Sequence, residues 1–542
     1  MTVPEARPPE SGPASAATPT GGRGANAHAS GGWEPPGPSP RGWLLRTLNV
    51  IETAGNALPH PASLFVILSV VVVVLSWILH AAGVSVMHPA TGEAAQVVNL
   101  LSAEGAQRLT MGLLPNFINF APYGPVLVCL LGLSVAEHSG FLGAVVRVII
   151  GATPPRLLTL IVVFIGATSS TAGDVGYVLL LPLSAALFHS AGRNPLTGLA
   201  AAFAGVSGGF AANLLLSPTD VILAGLTQEA ARIIDPAYVV TPMASYFFLA
   251  SSVFLVTLTG TFVTERVVEP RLGRYTGDVI PEQAVPLTFA EWRGLRWAML
   301  TVVVLTALVV WGLVPTDGFL QDPNKPGFIG SFFLRGLVAW IFVFGLVPGL
   351  VYGMVAGTIR RDVDVYKGMQ KNMELIAGYT VIIFFIAQFV NIFSWSNLGV
   401  ILAVKGAMFL RALDLGPIPL LIALIVMTGS INLLLGSSSA KWAMLAPVLV
   451  PMFMLLGYSP ELTQTAYRVG DSLTNIITPL SSNFPLVLIF FQKYMPKAGI
   501  GTLTATMLPY SFANLVAWTV MLVVWVWLQL PTGPGAPLFL PQ

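Results

Sequence analysis

Two isolated charges lie in long apolar stretches of the chain. Asp174 is the only acidic or basic residue, His189 aside, between Leu157 and Gly192. Lys441 is the only charge in residues 415–460. A charge at the centre of a bilayer costs about 2.5 to 3.5 kcal/mol on insertion scales. Because a substitution would remove that cost, we expect functional roles for both. The structural alternative is an ion pair between Asp174 and Lys441, and both roles can coexist.

Both charges belong to segments of small polar residues, and each segment is followed by an interrupted apolar helix. The first segment contains Ser169 and Ser170 and ends at Asp174, and the second covers residues 437–442. The interruptions are expected at residues 205–218 and 469–479. Asn213 and Asn475 precede a proline by about one helical turn, so backbone carbonyls should be free near both amides.

Oxygen ligands of this kind suit a hard cation such as Na+. We predict a second-half ion site built from Asn432, Asp471 and Asn475, with carbonyls of the tip near Gly436 to Ser438. Asp471 and Asn475 share a helix face because they are four residues apart. A first-half site would use Ser169, Ser170 and Asn213. It lacks an acid, because Gly209 stands where Asp471 does, so the second-half site should bind more tightly or alone.

The same region carries groups suited to an organic anion. Arg468 could hold a carboxylate through two hydrogen bonds, or it could pair with Asp471 three residues later. Trp442 could stack on an aromatic ring or simply fill the bundle. Two further patterns are not chemical sites. Ser207 matches G-x-S-x-G but lies in an apolar helical run rather than a strand-to-helix turn. Gly345, Gly349 and Gly353 form a close-packing face, and a subunit contact is one use for such a face.

The composition requires a membrane protein. The 542 residues are 55% hydrophobic and 9% charged, against about 25% charged in soluble domains. About ten apolar runs approach the length of a membrane helix. The net charge of +2 does not suggest nucleic acid. The single Cys129 allows no disulfide framework, and no P-loop is present. We find no catalytic constellation and expect no enzyme and no cofactor other than a coupling ion, Na+ or H+.

The distribution of Arg and Lys predicts the topology. Residues 1–40, rich in Pro and Gly, form a disordered tail, and Arg41 and Arg46 place the N-terminus in the cytoplasm. The loops at residues 91–108 and 315–326 are expected in the periplasm, as is the C-terminus. The other basic clusters are expected in the cytoplasm: Arg147, Arg156, Arg193, Arg266, Arg271, Arg274, Arg360, Arg361, Lys367, Lys493 and Lys497.

This placement requires two hairpins that enter and leave on one side. We predict an all-α polytopic fold of about nine spans plus two opposed re-entrant hairpins in an inverted repeat. The first half, residues 41–275, has a cytoplasm-facing hairpin near 155–190 and a broken helix near 196–229. The second half, 276–530, has a periplasm-facing hairpin near 416–458 and a broken helix near 461–492. Residues 531–542 form a C-terminal tail.

Three segments resemble the p-aminobenzoyl-glutamate transporter (AbgT) family: residues 169–183 (SSTAGDVGYVLLLPL), 204–215 and 437–480. The resemblance extends from about residue 45 to 528. It implies an inner-membrane homodimer related to the ion-transporter superfamily that carries p-aminobenzoyl-glutamate and, in some members, exports sulfonamide antifolates. It assigns cation-site roles to Asn432 and Asn475. The functional positions that it implies are Asp174, Ser439, Trp442, Pro460, Arg468, Asp471 and Pro479.

The chemistry of that substrate agrees with the residues. Lys441 and Arg468 could meet its two carboxylates, and Trp442 its ring. We therefore expect an ion-coupled secondary transporter in the bacterial inner membrane, with the lipid bilayer and a small aminobenzoyl compound as partners. One alternative is a proton-coupled sulfonamide exporter with Asp174 or Asp471 as the proton carrier. An ion channel is the alternative from another class. The paired broken helices argue against it, because they suit alternating access better than a permanent pore.

The topology can be tested with fused reporters. A reporter after Arg361 should be cytoplasmic and one after Leu320 periplasmic, because basic residues are retained on the cytoplasmic side. Alkaline phosphatase and fluorescent-protein fusions report the two compartments. A cytoplasmic signal at Leu320 would contradict the two-hairpin arrangement.

Overall fold

The computed structural model describes residues 59–87, 92–169, 176–279, 286–315, 317–325, 327–371 and 373–540. The predicted tail, residues 1–40, lies outside these ranges, as do Arg41 and Arg46. Eight helices in the described ranges are long and apolar enough to cross a membrane. The prediction of an all-α polytopic membrane protein is confirmed, with one small exception, an antiparallel strand pair formed by β1 (Ser85–Met87) and β2 (Ala94–Gln96). The count of nine spans and the inverted repeat stay predictions.

The helices of the first half include both long membrane helices and short interrupted ones. In chain order they are α1 (Pro61–Ala81), α2 (Ala103–Ile118), α3 (Tyr123–His138), α4 (Phe141–Gly151), α5 (Leu158–Thr168), α6 (Leu181–Ser190), α7 (Pro195–Phe203), α8 (Pro218–Ala231), α9 (Tyr246–Val263) and α10 (Glu269–Leu272). Single π-helical turns precede α6, extend α7 and join α9 to α10 at Gly176–Leu180, Ala204–Gly208 and Thr264–Val268, respectively.

The second half repeats the mixture of long and short helices. Its helices are α11 (Phe289–Leu313), α12 (Phe332–Arg335), α13 (Leu337–Ala356), α14 (Asp362–Lys371), α15 (Met373–Trp395), α16 (Leu398–Ala412), α17 (Pro417–Asn432), α18 (Ser438–Leu455), α19 (Pro460–Thr474), α20 (Phe484–Tyr494) and α21 (Ile500–Trp527).

Proline and a polar cap fix the starts of the interrupted helices. Asn194 accepts a hydrogen bond from the Leu196 amide at 3.0 Å, and Pro195 is the first residue of α7. Ser459 accepts one from the Leu462 amide at 3.1 Å, and Pro460 begins α19. Proline suits this position because its missing N–H would have no partner within the helix. The caps thus define where these helices enter the bundle.

Both interruptions are present, and the second begins later than predicted. Residues 209–217 separate α8 from the π-helical turn that extends α7, and residues 475–483 separate α19 from α20. The prediction that the second break begins at residue 469 is wrong, since the helix continues to Thr474. The reason is that Pro479 disturbs only hydrogen bonds within about one turn before it.

The predicted arms of each hairpin pack against the interrupted helix that follows them. In the first half, α5 and α6 both pack against α7, and α5 also contacts residues 204–208. In the second half, α17 and α18 both pack against α19. The halves meet where α19 and α18 pack against α8. The interrupted helices therefore lie at the centre of the described bundle.

The glycine face on α13 mediates a contact within the chain. A Cβ atom at Gly345 would lie 2.7 Å from the backbone carbon of Gly132 on α3, and one at Gly349 would lie 2.6 Å from the Cα of Ala136. The considered subunit contact is therefore wrong for these two residues, because α3 occupies the face. Small residues allow such close backbone approach between membrane helices.

Segments predicted for one membrane face contact one another. Arg193 forms two hydrogen bonds with Glu269, and Arg271 donates to the carbonyl of Ala505 at 2.9 Å. At the other end, the Ser459 amide donates to the carbonyl of Leu538 at 3.0 Å, and Thr532 Oγ1 to that of Ala244 at 2.8 Å. Which end faces the cytoplasm stays a prediction.

Replacing Gly349 by alanine should destabilise the protein by about 1 to 3 kcal/mol, because the added methyl group meets backbone atoms that cannot rotate away. The measurement is the midpoint of thermal unfolding in detergent. Gly378→Ala on α15 is the matched control, since no atom lies within 4 Å of its added Cβ. Equal midpoints for the two variants would contradict the close contact of α13 with α3.

Candidate functional site

Helix α19 is polar and enclosed by other helices. Every residue from Pro460 to Leu473 is buried, although the helix carries an arginine and two acids. Buried polar groups in proteins are almost always hydrogen-bonded. The partners of α19 therefore identify the elements that position the site.

The first buried ion pair joins α18 to α19. Lys441 Nζ lies 2.5 Å from Asp471 Oδ1, and the two side chains are 0% and 3% exposed. The ammonium also donates to Asn432 Oδ1 and, at 3.3 Å, to the carbonyl of Leu435. Asn432 Nδ2 in turn donates to Asn475 Oδ1 at 2.8 Å and to the carbonyl of Asp471 at 2.7 Å. Two of the predicted cation ligands, Asn432 and Asp471, thus contact the ammonium, and the third, Asn475, is joined to it through Asn432.

The tip contributes one carbonyl, and it is not one of those predicted. Leu435 provides it, whereas the carbonyl of Ser438 accepts from the Tyr467 hydroxyl at 2.6 Å. Gly436 instead brings the tip close to the break, since a Cβ there would lie 2.6 Å from the carbonyl oxygen of Leu480. Thr478 Oγ1 donates to the carbonyl of Leu433 at 3.0 Å and strengthens this contact.

The second buried ion pair joins α8 to α19. Arg468 Nη1 donates to Asp220 Oδ1, with side chains 3% and 2% exposed. The pairing of Arg468 with Asp471 that we considered is therefore wrong, because each residue has a partner on another helix. Asp220 Oδ2 accepts from Asn213 Nδ2 at 2.9 Å and from the amide and hydroxyl of Ser217 at 2.6 and 2.8 Å.

Asp220 is the functional candidate that sequence reasoning missed. The signal was present as Ser217-Pro218-Thr219-Asp220, a polar cap, a first-turn proline and an acid three residues after the cap. Gly209 does stand where Asp471 does, but Asp220 supplies an acid to Asn213 from beyond the break. The Ser169 hydroxyl donates to the carbonyl of Gly166 at 2.7 Å. Ser170 and Asp174 lie outside the described residues.

Trp442 packs inside the bundle beside the first ion pair. Its ring lies 4.2 Å from that of Tyr467 between centroids, at an interplanar angle of 30°. Its Nε1 donates to Thr227 Oγ1 at 2.8 Å, and Thr227 donates to Gln464 Oε1 at 2.6 Å. The indole is fully buried, so it closes the contact of α18 with α8 and α19.

The remaining predicted substrate residues surround the same helices. Ser439 is half-buried in the first turn of α18, Pro460 is buried at the start of α19, and Pro479 is half-buried in the break. Ser207 of the G-x-S-x-G pattern is buried in a π-helical turn and bonded to Tyr177 Oη at 2.6 Å. That is not the exposed serine of a hydrolase elbow.

The site is electrically balanced. Two cations, Lys441 and Arg468, face two carboxylates, Asp471 and Asp220, and all four lie beside α19 or on it. A charged solute can take the place of one partner in such a pair, which leaves the displaced side chain without its counter-charge. The chain combines membrane-crossing helices with interrupted helices, and the interrupted helices meet at buried ion pairs. This arrangement defines the chain as a multi-pass membrane transporter.

The profile of the AbgT putative transporter family matches residues 46–540, and the chain belongs to that family. This confirms the family resemblance and the expectation that the protein is not an enzyme. The match also extends the family resemblance beyond the predicted limit at residue 528. It now includes the C-terminal segment that bonds to Ser459 and Ala244.

Three relatives illustrate the similarity. The p-aminobenzoyl-glutamate transport protein of Escherichia coli (strain K12) is 38% identical over 485 residues, 90% of this chain and 95% of that protein. The solved structure of the Alcanivorax borkumensis YdaH transporter is 45% identical, with a TM-score of 0.84, and covers 88% of this chain and 100% of its own. Neisseria gonorrhoeae MtrF, described with a class of antimetabolite efflux pumps, is 46% identical, with a TM-score of 0.85 and coverages of 91% and 100%.

Removing one member of the α8–α19 pair should destabilise the protein more than removing both. Asp220→Asn leaves the Arg468 cation buried and unpaired, and such losses cost about 3 to 5 kcal/mol. The double variant Asp220→Asn with Arg468→Gln should recover most of that loss. Unfolding midpoints in detergent measure both effects.

Arg232→Gln is the matched control. Its partner is Glu229 in a pair whose arginine side chain is 40% exposed, and exposed pairs contribute about 0 to 1 kcal/mol. If Asp220→Asn costs no more than this control, the buried pair does not stabilise the bundle.

Proposed function

We propose that the protein is an ion-coupled secondary transporter of p-aminobenzoyl-glutamate or related aminobenzoyl compounds across the bacterial inner membrane. The observation that carries the proposal is the pair of buried ion pairs on one interrupted helix. The similarity to the Escherichia coli p-aminobenzoyl-glutamate transport protein supports the substrate class. As part of this proposal, the transporter is a homodimer with its N-terminus in the cytoplasm and its C-terminus in the periplasm.

The substrate would replace the internal acids. Lys441 and Arg468 already hold two carboxylates, those of Asp471 and Asp220. The glutamate part of the substrate carries two carboxylates. These can take the places of the Asp471 and Asp220 carboxylates without changing the charge that faces either cation. The aminobenzoyl ring would then stack on the aromatic pair Trp442–Tyr467. Because Lys441 and Trp442 are 0% exposed, α18 must move before substrate enters.

This exchange provides a reason for ion coupling. Displaced carboxylates of Asp220 and Asp471 would stay in a poorly hydrated interior, where an unpaired charge is costly. Binding of Na+ or H+ removes that cost. For Na+, Asn432, Asp471 and Asn475 would form the site once Lys441 leaves it, since Asn432 and Asp471 contact the ammonium in this structure and Asn475 is bonded to Asn432. Substrate and cation would then bind together, which favours co-transport of the dicarboxylate.

The likeness to MtrF favours a second candidate, proton-coupled export of sulfonamide antimetabolites. A sulfonamide shares the aminophenyl group but has no carboxylate for Lys441 or Arg468. Its amino group could donate to the carboxylates of Asp220 or Asp471 instead. A proton that binds the same carboxylate would displace the sulfonamide. Substrate and proton would then compete for one site, as their transport in opposite directions requires.

Transport in proteoliposomes distinguishes these candidates. Labelled p-aminobenzoyl-glutamate and a labelled sulfonamide are each offered with a Na+ gradient or a pH gradient imposed separately. We expect saturable, gradient-driven uptake of the first compound. A charge crossing 100 mV gains about 2.3 kcal/mol, which would change accumulation by tens-fold. Uptake unaffected by Na+ but driven by protons would reject the sodium site and leave Asp471 as a candidate proton carrier.

Three variants test the roles of individual residues. Asn475→Ala should weaken the dependence of transport on Na+. Asn213 contacts Asp220 instead, so Asn213→Ala should leave the apparent Na+ affinity closer to that of the unmodified protein. Arg468→Gln should reduce transport of the dicarboxylate more than transport of the sulfonamide. Equal losses for both compounds would show that Arg468 does not bind a substrate carboxylate.

A further inference from the structure

Glu461 differs from the other buried acids of the described residues, because no cation among those residues pairs with it. Asp220, Asp322 and Asp471 pair with Arg468, Arg335 and Lys441. Glu461 is 4% exposed, and within the described residues no Lys, Arg or His nitrogen lies within 4 Å of its carboxylate. It can therefore take up a proton without breaking an ion pair.

Its carboxylate is hydrogen-bonded to its own backbone amide, to Ser459 and to a tyrosine hydroxyl on another segment. Tyr238 Oη donates to Glu461 Oε2 at 3.0 Å. Tyr238 belongs to residues 232–245, the α8–α9 connector. Burial, followed by the nearby Glu461 carboxylate, raises the pKa of Tyr238. The hydroxyl therefore stays protonated and remains the donor.

Opposing influences act on the carboxyl group. Its position in the first turn of α19 favours the negative charge, because the N-terminal end of a helix is positive. Burial without a cation favours the neutral form. A hydrogen bond to a charged acceptor is also about twice as strong as one to a neutral acceptor. Protonation would thus weaken the bond that holds the connector against α19.

The surrounding charged groups are few. On the connector side, Arg232 pairs with Glu229 and donates to the Tyr238 carbonyl, and Asp235 accepts from the Ala237 amide. Residues 204–208 and α17 contain no titratable group. Tyr458, just before α19, packs its ring against Phe453 and Phe539. The others are bonded elsewhere or lie further along α19: Lys441 of α18, Tyr510 of α21, Asp220 of α8, and Tyr467, Arg468 and Asp471 of α19 itself.

We propose that Glu461 is a proton-binding site that latches the α8–α9 connector to α19. The ionised carboxylate holds Tyr238 and keeps the connector closed, and the protonated group releases it. The connector follows α8, which carries Asp220, and α19 carries Arg468, so the latch joins the two helices of the second buried ion pair. The connector is bonded to the C-terminal segment, which is predicted to be periplasmic, and that position would expose the latch to external protons. The role of the latch in coupling proton binding to transport rests on the proposed function, whereas the existence of the latch does not.

Thiol labelling tests the latch without any transport assay. In a Cys129→Ala background, Val240→Cys places the reporter at a connector residue that is 6% exposed. Val239→Cys, at 65% exposure, corrects for the effect of pH on the reagent. The labelling rate of Val240→Cys divided by that of Val239→Cys should rise about five- to tenfold between about pH 8 and pH 5.5. That factor corresponds to the difference in strength between a charged and a neutral hydrogen bond.

Three variants identify the proton-binding group. Glu461→Gln and Tyr238→Phe should both give a high ratio that does not change with pH, because neither can form the charged hydrogen bond. Asp235→Asn, an exposed acid on the same connector, should behave like the parent protein. If Glu461→Gln does not fold, Tyr238→Phe removes the same bond and decides the question.

A parent ratio that stays constant with pH, or a pH response that survives in Glu461→Gln, would overturn the latch. In proteoliposomes, Glu461→Gln should also flatten the pH profile of substrate exchange. A parent protein that shows the labelling response but no exchange of either substrate would contradict the proposed function and leave the latch established.

Discussion

The burial of opposite charges around α19 constrains the rest of the bundle. An isolated ion in a low-dielectric interior costs several kcal/mol even after relaxation. Arg468 and Asp471 can therefore occupy this helix only if α8 presents Asp220 and α18 presents Lys441 at the right height. The prolines and polar caps that fix the starts of α8 and α19 set those heights. The surrounding apolar helices then enclose a polar helix that lipid alone would not accommodate.

The breaks are joined to their surroundings by side chains rather than by backbone pairing. The Asn432 amide and the Thr478 hydroxyl bind backbone carbonyls across the second half, and Ser472 Oγ accepts from the Ala211 amide of the first break at 3.0 Å. Side-chain bonds of this kind can be exchanged for others by rotation about one or two torsions. A continuous helix would lose several backbone bonds in the same movement.

The sequence was sufficient for the class of fold and for most of the residues at the centre. Apolar runs indicated the helices, an isolated charge indicated Lys441, and the polar stretch around the second break indicated Arg468 and Asp471. Their pairing was not predictable, because i to i+3 spacing made Asp471 the nearest candidate for Arg468, whereas the partners come from residues 220 and 441, distant in sequence. Asp220 was overlooked because its cap pattern reads as an ordinary helix start. The lower limit of the second break was misplaced because proline acts over only one turn.

The segment after α21 has a consequence for biosynthesis. The Thr532 carbonyl accepts from the Phe247 and Phe248 amides at the start of α9, and the Leu538 carbonyl accepts from the Ser459 amide just before α19. These N–H groups lie at helix entrances, where the helix itself offers no acceptor. A ribosome that has released α19 into the membrane must still synthesise more than one further helix before that partner arrives. The Ser459 amide at the start of α19 therefore gains this acceptor only after Leu538 has been synthesised, although the four charged residues of the centre are already in place in the chain.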